Sequence, residues 1–143
     1  MKNLFHCSCT KRAADLAPLI LRVVTGLIFA MHGYQKLTMM GLPGVSGFLG
    51  SLGFPAAGFF AALLIAAELV GGLMLILGAY THWVAKILAF VSVVAFFTVH
   101  ITHGFFLAGG GYEYIILLFA AAVSLMITGP GKYSVDHKLK IKN

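Results

Sequence analysis

Charged residues are scarce in this sequence. Asp, Glu, Lys and Arg make up only 10% of its 143 residues, whereas an ordinary soluble domain carries about 25%. Hydrophobic residues make up 60% of the chain, and its mean hydropathy is +0.97. So few charged residues are too few to cover a surface that faces water on all sides. The composition therefore excludes an ordinary soluble domain and indicates a membrane protein.

Acidic residues are the scarcest charged class, with four Asp and Glu against ten Lys and Arg. A net charge of +6 could suggest nucleic acid, but the basic residues form no stripe or patch. They lie in the tails and at the ends of apolar runs, which is the pattern of membrane orientation. We therefore predict membrane lipid as the surroundings of the chain and no nucleic-acid partner.

Cysteine is also rare, since the only two are Cys7 and Cys9 in the N-terminal tail. Their C-x-C spacing differs from the C-x-x-C of thioredoxin-like proteins. We interpret them as incidental thiols, with a thiol relay or a metal contact as the alternative. The sequence also lacks a P-loop, a dinucleotide fingerprint and an HExxH motif, so no motif encodes a cofactor or a metal site.

Long apolar runs are the main positive feature, since about 20 apolar residues suffice for a helix to cross a bilayer. Breaks that contain Gly or Pro separate four such runs. The sequence predicts an all-α, polytopic membrane protein: one four-helix domain over residues 1–143, with tails at 1–15 and 128–143. The predicted helices are about Leu16–Leu37, Ala56–Leu77, Trp83–Ile101 and Tyr112–Ile127.

The orientation follows from the distribution of Lys and Arg. One side of the membrane would carry only Lys36, and the other side would carry the basic residues of the tails and of the start of the third helix. Because positive charge stays cytoplasmic, we predict that both termini are cytoplasmic. The residues on that side are Lys2, Lys11, Arg12, Lys86, Lys132, Lys138, Lys140 and Lys142.

Ionisable residues within apolar runs are the candidate functional groups, because an unpaired charge at bilayer depth is costly. We predict a deep ion pair between Arg22 and Glu68, with a purely structural role as the alternative. A second polar level at the outer helix ends is the candidate ligand cluster, with helix-end packing as the alternative. This outer cluster consists of His32, Lys36, His100, His103 and Glu113.

Several spaced motifs resemble those of the DoxX family of small four-helix membrane proteins. The similarity runs from about Leu16 to His137. It rests on Arg22-x-x-x-Gly26-x-x-Phe29-x-x-His32-Gly33-x-x-Lys36-Leu37, Glu68-x-x-Gly71-Gly72-x-x-Leu75-x-x-Gly78, Tyr112-Glu113 and Gly129-Pro-Gly131-Lys-Tyr-Ser134-Val-Asp136. The resemblance implies a protein of the bacterial cytoplasmic (inner) membrane, of a family often assigned as oxidoreductases. Its namesake is associated with a subunit of a thiosulfate:quinone oxidoreductase, and other members with oxidative or thiol stress.

Two functions follow as hypotheses. The first is a quinone-linked membrane oxidoreductase or a subunit of one, in which the outer cluster binds the quinone. A redox partner subunit would then supply the electrons, unless Cys7 and Cys9 do. The alternative is a non-catalytic membrane scaffold, or a small-molecule binder or transporter, with the same cluster as its ligand pocket. The sequence predicts neither the substrate nor the oligomeric state.

The orientation can be tested with reporter fusions. Because the basic residues lie on the side of the tails, we expect a reporter fused after Asn143 to be cytoplasmic. A reporter inserted near Gly50 should be external. Alkaline phosphatase and green fluorescent protein report the two sides. A periplasmic C-terminal reporter would reverse the predicted orientation.

Overall fold

The computed structural model describes the backbone of residues 11–140 and the side chains of residues 15–140. Cys7 and Cys9 lie outside the described residues. Within them, the chain forms helices joined by short turns. The α-helices are α1 (Lys11–Gln35), α2 (Gly41–Ser51), α3 (Ala57–Leu77), α4 (Thr81–Ala95), α5 (Glu113–Thr128) and α6 (Val135–Leu139).

Three helical segments are long and apolar enough to cross a membrane: Asp15–Ser51, Ala57–Leu77 and Thr81–His103. α5 is apolar but has only 16 residues, or about 24 Å of helix, against a hydrocarbon core of about 30 Å. These segments correspond to the four predicted helices. The all-α, multi-pass fold predicted from the apolar runs is therefore confirmed.

The predicted end of the first membrane helix is wrong. The predicted Gly- and Pro-containing break between the first two apolar runs does not end the helix at Gly41–Gly44, because α1 passes through a π-helical turn (Lys36–Met40) directly into α2. Gly41 has a φ of 64°, which glycine adopts without steric cost, so the chain bends there and resumes a helix. Pro43 falls in the first turn of α2, where a missing N–H costs no helical hydrogen bond.

α1 packs directly against α3 through glycines. A Cβ atom at Gly33 would lie 2.4 Å from the Leu69 nitrogen, and one at Gly72 would lie 2.4 Å from the Ala30 nitrogen. Gly26 also faces the Gly72 carbonyl. The two backbones thus approach as closely as glycine allows, as in small-residue helix contacts within membranes. Gly26 and Gly33 thus lie on the face of α1 that meets α3.

Two apolar clusters divide the bundle along α3. The larger one joins α1, α4 and α5 to the C-terminal half of α3, and includes Phe29, Leu75, Leu88 and Leu125. The smaller one packs α2 against the start of α3 and consists of Val45, Leu49, Ala61 and Ile65. α1 and α2 therefore cover successive halves of α3. The π-helical turn between them lies near the middle of α3.

The close glycine contact between α1 and α3 can be tested by adding a methyl group. Gly72→Ala places its Cβ against the backbone of Ala30, so we expect a loss of stability of about 1–3 kcal/mol or more. Gly47→Ala is the matched control, because no atom lies within 4 Å of a Cβ there. It should be neutral or slightly stabilising in α2. Thermal unfolding in detergent measures both, and equal effects would contradict the close contact.

Candidate functional site

Lys36 and Glu68 form an ion pair in the middle of the bundle. Lys36 Nζ lies 2.6 Å from Glu68 Oε2, and the side chains are 24% and 8% exposed, respectively. Glu68 stands about 17 Å of helix from Ala57 and about 14 Å from Leu77, the two ends of α3. The pair is therefore at mid-depth of a membrane-spanning segment. A lone charge there would be costly.

The backbone around Lys36 is irregular. Lys36 is the first residue of the π-helical turn between α1 and α2, and Gly33, three residues before it, brings α1 against Leu69 of α3. These two features place the base of the Lys36 side chain next to the face of α3 that carries Glu68. π-helical turns are rare and occur frequently at functional sites.

His32 lies beside Lys36, and Tyr114 lies beside His32. His32 is four residues before Lys36, so the two side chains share one face of the helix. The His32 ring lies 6.4 Å from the Tyr114 ring, at an angle of 50°. Tyr114 is itself half-buried against the larger apolar cluster. We call Lys36, Glu68, His32 and Tyr114 the mid-bundle site.

Arg22 does not pair with Glu68, so that prediction is wrong. The Arg22 side chain is buried and donates hydrogen bonds to the carbonyls of Leu75 (3.3 Å), Ile76 and Tyr133. The antiparallel register of α1 and α3 places Arg22 beside the C-terminal end of α3. The last carbonyls of a helix lack the usual partner four residues on, and the helix dipole favours a cation there. Lys36, about 21 Å further along the chain's helical path, reaches Glu68 instead.

Asp136 fastens the segment after α5 to the same end of the bundle. Its carboxylate accepts hydrogen bonds from the backbone nitrogens of Tyr80 (2.7 Å) and Thr81 (2.8 Å), at the start of α4. Its own backbone nitrogen donates to the Gly78 carbonyl at 3.0 Å. We call Arg22, Tyr133 and Asp136, with the turn at residues 78–81, the tail clamp.

The structure separates the predicted outer cluster into two groups: His100, His103 and Glu113 lie apart from Lys36. His100 Nδ1 donates to the Gly110 carbonyl at 2.7 Å, and His103 Nδ1 donates to the Val99 carbonyl at 2.8 Å. Glu113 Oε1 accepts from the Leu107 nitrogen at 2.6 Å. Within residues 15–140, none of these three bonds or pairs with Lys36. The expectation of a single level was wrong, because Lys36 lies at the level of Glu68 rather than at the helix ends.

Comparisons with known proteins identify the family. The DoxX family model matches residues 17–101. The chain is 33% identical over 125 residues to the "Putative oxidoreductase CatD" of Bacillus subtilis (strain 168), covering 87% of this chain and 88% of that protein. The chain belongs to the DoxX family.

Two further relatives of this DoxX-family chain are from Escherichia coli (strain K12). "Inner membrane protein YqjF" is 28% identical over 132 residues, which are 92% of this chain and 98% of that protein. "Inner membrane protein YphA" is 29% identical over 127 residues, with 84% and 88% covered. No solved structure matches the chain. Together with the apolar helices of the chain, these relatives show that it is a multi-pass protein of the cytoplasmic membrane.

The DoxX match includes Arg22, His32, Lys36 and Glu68, whereas Tyr114 and Asp136 lie beyond the matched residues. Sequence reasoning did not select Tyr114 or Asp136 as functional groups. Asp136 carried a signal, since it closes a Gly- and Pro-containing motif two residues after Ser134, which caps α6 by accepting from the His137 nitrogen. Tyr114 carried none beyond its position next to Glu113.

The chemistry available at the mid-bundle site is hydrogen bonding and proton exchange. An ammonium carries three N–H donors and an imidazole can donate or accept, so Lys36 and His32 can serve a ligand while Glu68 stays bonded. Among the described residues, no group of three His, Cys, Asp or Glu side chains is placed to hold a metal ion.

The corrected pairing can be tested by a double-mutant cycle. Lys36→Met leaves the Glu68 carboxylate buried without its partner, so we expect a stability loss of about 3–5 kcal/mol. Adding Glu68→Leu should recover much of this loss. Arg22→Met combined with Glu68→Leu is the control, and its two effects should add. Thermal unfolding in detergent is the measurement, and additive losses for Lys36 and Glu68 would show that they are not partners.

Proposed function

We propose that this DoxX-family chain is the membrane component of a quinone-linked oxidoreductase, with the quinone ring bound at the mid-bundle site. The observation that carries the proposal is the partly exposed ammonium of Lys36, held by buried Glu68 at mid-depth of the bundle. The name of the Bacillus subtilis relative, "Putative oxidoreductase CatD", supports the reaction class.

Access from the lipid supports a lipid-soluble ligand. Lys36 keeps about a quarter of its side chain exposed, and its neighbours Tyr34, Leu37 and Met40 are exposed apolar side chains. A quinone is an apolar ring with two carbonyl oxygens. It could therefore approach through the bilayer and accept hydrogen bonds from Lys36 and His32, as polar groups in a mostly apolar site orient a ligand.

The reaction needs two electrons and two protons for each quinone reduced to a quinol. We propose that a partner subunit with a two-electron carrier, such as a flavin or a dithiol, supplies the electrons and is thereby oxidised. Lys36 and His32 would each pass one proton to a quinone oxygen and regain it from water. Glu68 holds Lys36 in place for this transfer by general acid catalysis.

A non-catalytic role is the second candidate, and one observation favours it. The Lys36–Glu68 bond at 2.6 Å links α1 to α3, so the pair could serve only to tie these helices together. A membrane scaffold, or a binder or transporter of another small molecule, would need no electron transfer.

Quinone binding to purified Lys36→Met separates the two functions. Losing a charge-assisted donor should weaken binding of a short-chain ubiquinone by about 1.5–3 kcal/mol, or roughly 10- to 100-fold. Lys86→Met is the control, because Lys86 is an exposed lysine that lies over the Trp83 ring, away from the site. Its affinity should match that of the unaltered protein.

Stability must be measured on the same proteins, because Lys36→Met also breaks the ion pair. The variant Lys36→Met/Glu68→Leu removes that destabilisation and should still bind quinone weakly. Unchanged quinone affinity in this stable double variant would contradict the quinone site and support the structural role.

A further inference from the structure

A cavity of about 730 Å³ opens at the end of the bundle that carries the tail clamp. It lies between the start of α1 and the segment that follows α5. Five ionisable side chains line it, from both of these elements. They are Asp15, Lys132, Asp136, His137 and Lys140.

The balance of charge in this cavity favours an anion. Lys132 and Lys140 are exposed, and neither forms an ion pair with any residue in the described range 15–140. Asp136 is buried and its two oxygens accept from the backbone nitrogens of Tyr80 and Thr81, so the positive end of α4 offsets its charge. Asp15 is then the remaining carboxylate in the cavity lining, which also contains two lysines and a histidine.

The position of the cavity favours a ligand with an apolar part. Asp15 is the first residue of the first membrane-spanning segment, and the Gly129–Pro130 stretch ends α5. The cavity therefore lies where the helices leave the hydrocarbon core. Leu16, Tyr133 and Leu139 are exposed side chains adjacent in sequence to its lining residues. Tyr is enriched at the headgroup level, and the two leucines offer contacts to acyl chains.

We propose that this cavity binds the phosphate headgroup of an anionic phospholipid, with Lys132 and Lys140 as the principal contacts. Basic pockets at the ends of membrane helices bind such headgroups. The lipid would bridge α1 and the segment after α5, and so support the tail clamp from outside. This proposal is independent of the mid-bundle site and of the quinone.

Lipid binding to the full-length protein in detergent tests the proposal, with native mass spectrometry as the readout. We expect dioleoylphosphatidylglycerol to bind more tightly than dioleoylphosphatidylcholine. Lys132→Gln/Lys140→Gln should weaken phosphatidylglycerol binding on the order of 10- to 30-fold and leave phosphatidylcholine unchanged. Lys86→Gln/Lys138→Gln is the matched control. It removes the same charge from exposed lysines outside the cavity, so affinity should change less than 2-fold.

Three outcomes would overturn the proposal. Equal losses in the two double variants would mean that only the overall surface charge attracts the lipid. Equal affinity for the two lipids would mean that the cavity does not select an anion. If glycerol phosphate competes as well as the lipid at equal concentration, the ligand is a soluble phosphate ester. Circular dichroism and thermal unfolding of both double variants verify that they are folded.

Discussion

The backbone contact between α1 and α3 sets the height of every charged group in the bundle. Gly26 and Gly33 on one helix, with Gly72 on the other, let the two backbones meet with no room for a Cβ atom. If one helix slid along the other, residues that carry a Cβ atom would replace the glycines at this contact and clash with the facing backbone. The register is therefore fixed, and it brings Arg22 to the end of α3 and Lys36 to its middle.

Arg22 and Lys36 are stabilised in different ways because of these heights. Arg22 meets the last carbonyls of α3 and the carbonyl of Tyr133, which suits a planar group with several donors. Lys36 has no free carbonyls near the middle of α3, because those are bonded within the helix. A carboxylate at Glu68 is the remaining way to offset the cost of a mid-membrane cation, about 2.5–3.5 kcal/mol or more.

The apolar helices could be predicted because their signal is local: length, hydropathy and Gly or Pro breaks. The pairing of Arg22 with Glu68 was wrong because it depended on counting residues from helix ends. That count assumed that the first span ended at Leu37, whereas the helical path continues through Lys36–Met40 into α2. The glycines that set the true register were visible in the sequence, but which glycine faces which is decided only by packing between helices.

The loop histidines show the same limit of sequence reasoning. His100, His103 and Glu113 were grouped with Lys36 by residue type and approximate depth. A glycine-rich loop folds back instead, with the Tyr112 nitrogen bonded to the Gly104 carbonyl at 3.0 Å. It supplies backbone partners to His100 and Glu113, and His103 bonds to the Val99 carbonyl one helical turn before it. Such partners cannot be found from side-chain types, because any residue can provide a carbonyl or an N–H.

Remaining hydrogen-bonding capacity distinguishes the two polar regions of the bundle. In the tail clamp, the Asp136 carboxylate holds the start of α4 and the Arg22 guanidinium holds three carbonyls, all at a buried helix end. Lys36 uses one of three N–H donors on Glu68, stands partly exposed, and has His32 on the same helical face. The buried side chains of Arg22 and Asp136 stabilise the fold through these bonds, although Arg22 Nε has no partner among the described residues. A partly exposed group with free donors, such as the Lys36 ammonium, can also bind a ligand. Arg22 and Asp136 therefore belong to the architecture, and Lys36 with its neighbours is the place where we propose that a ligand binds.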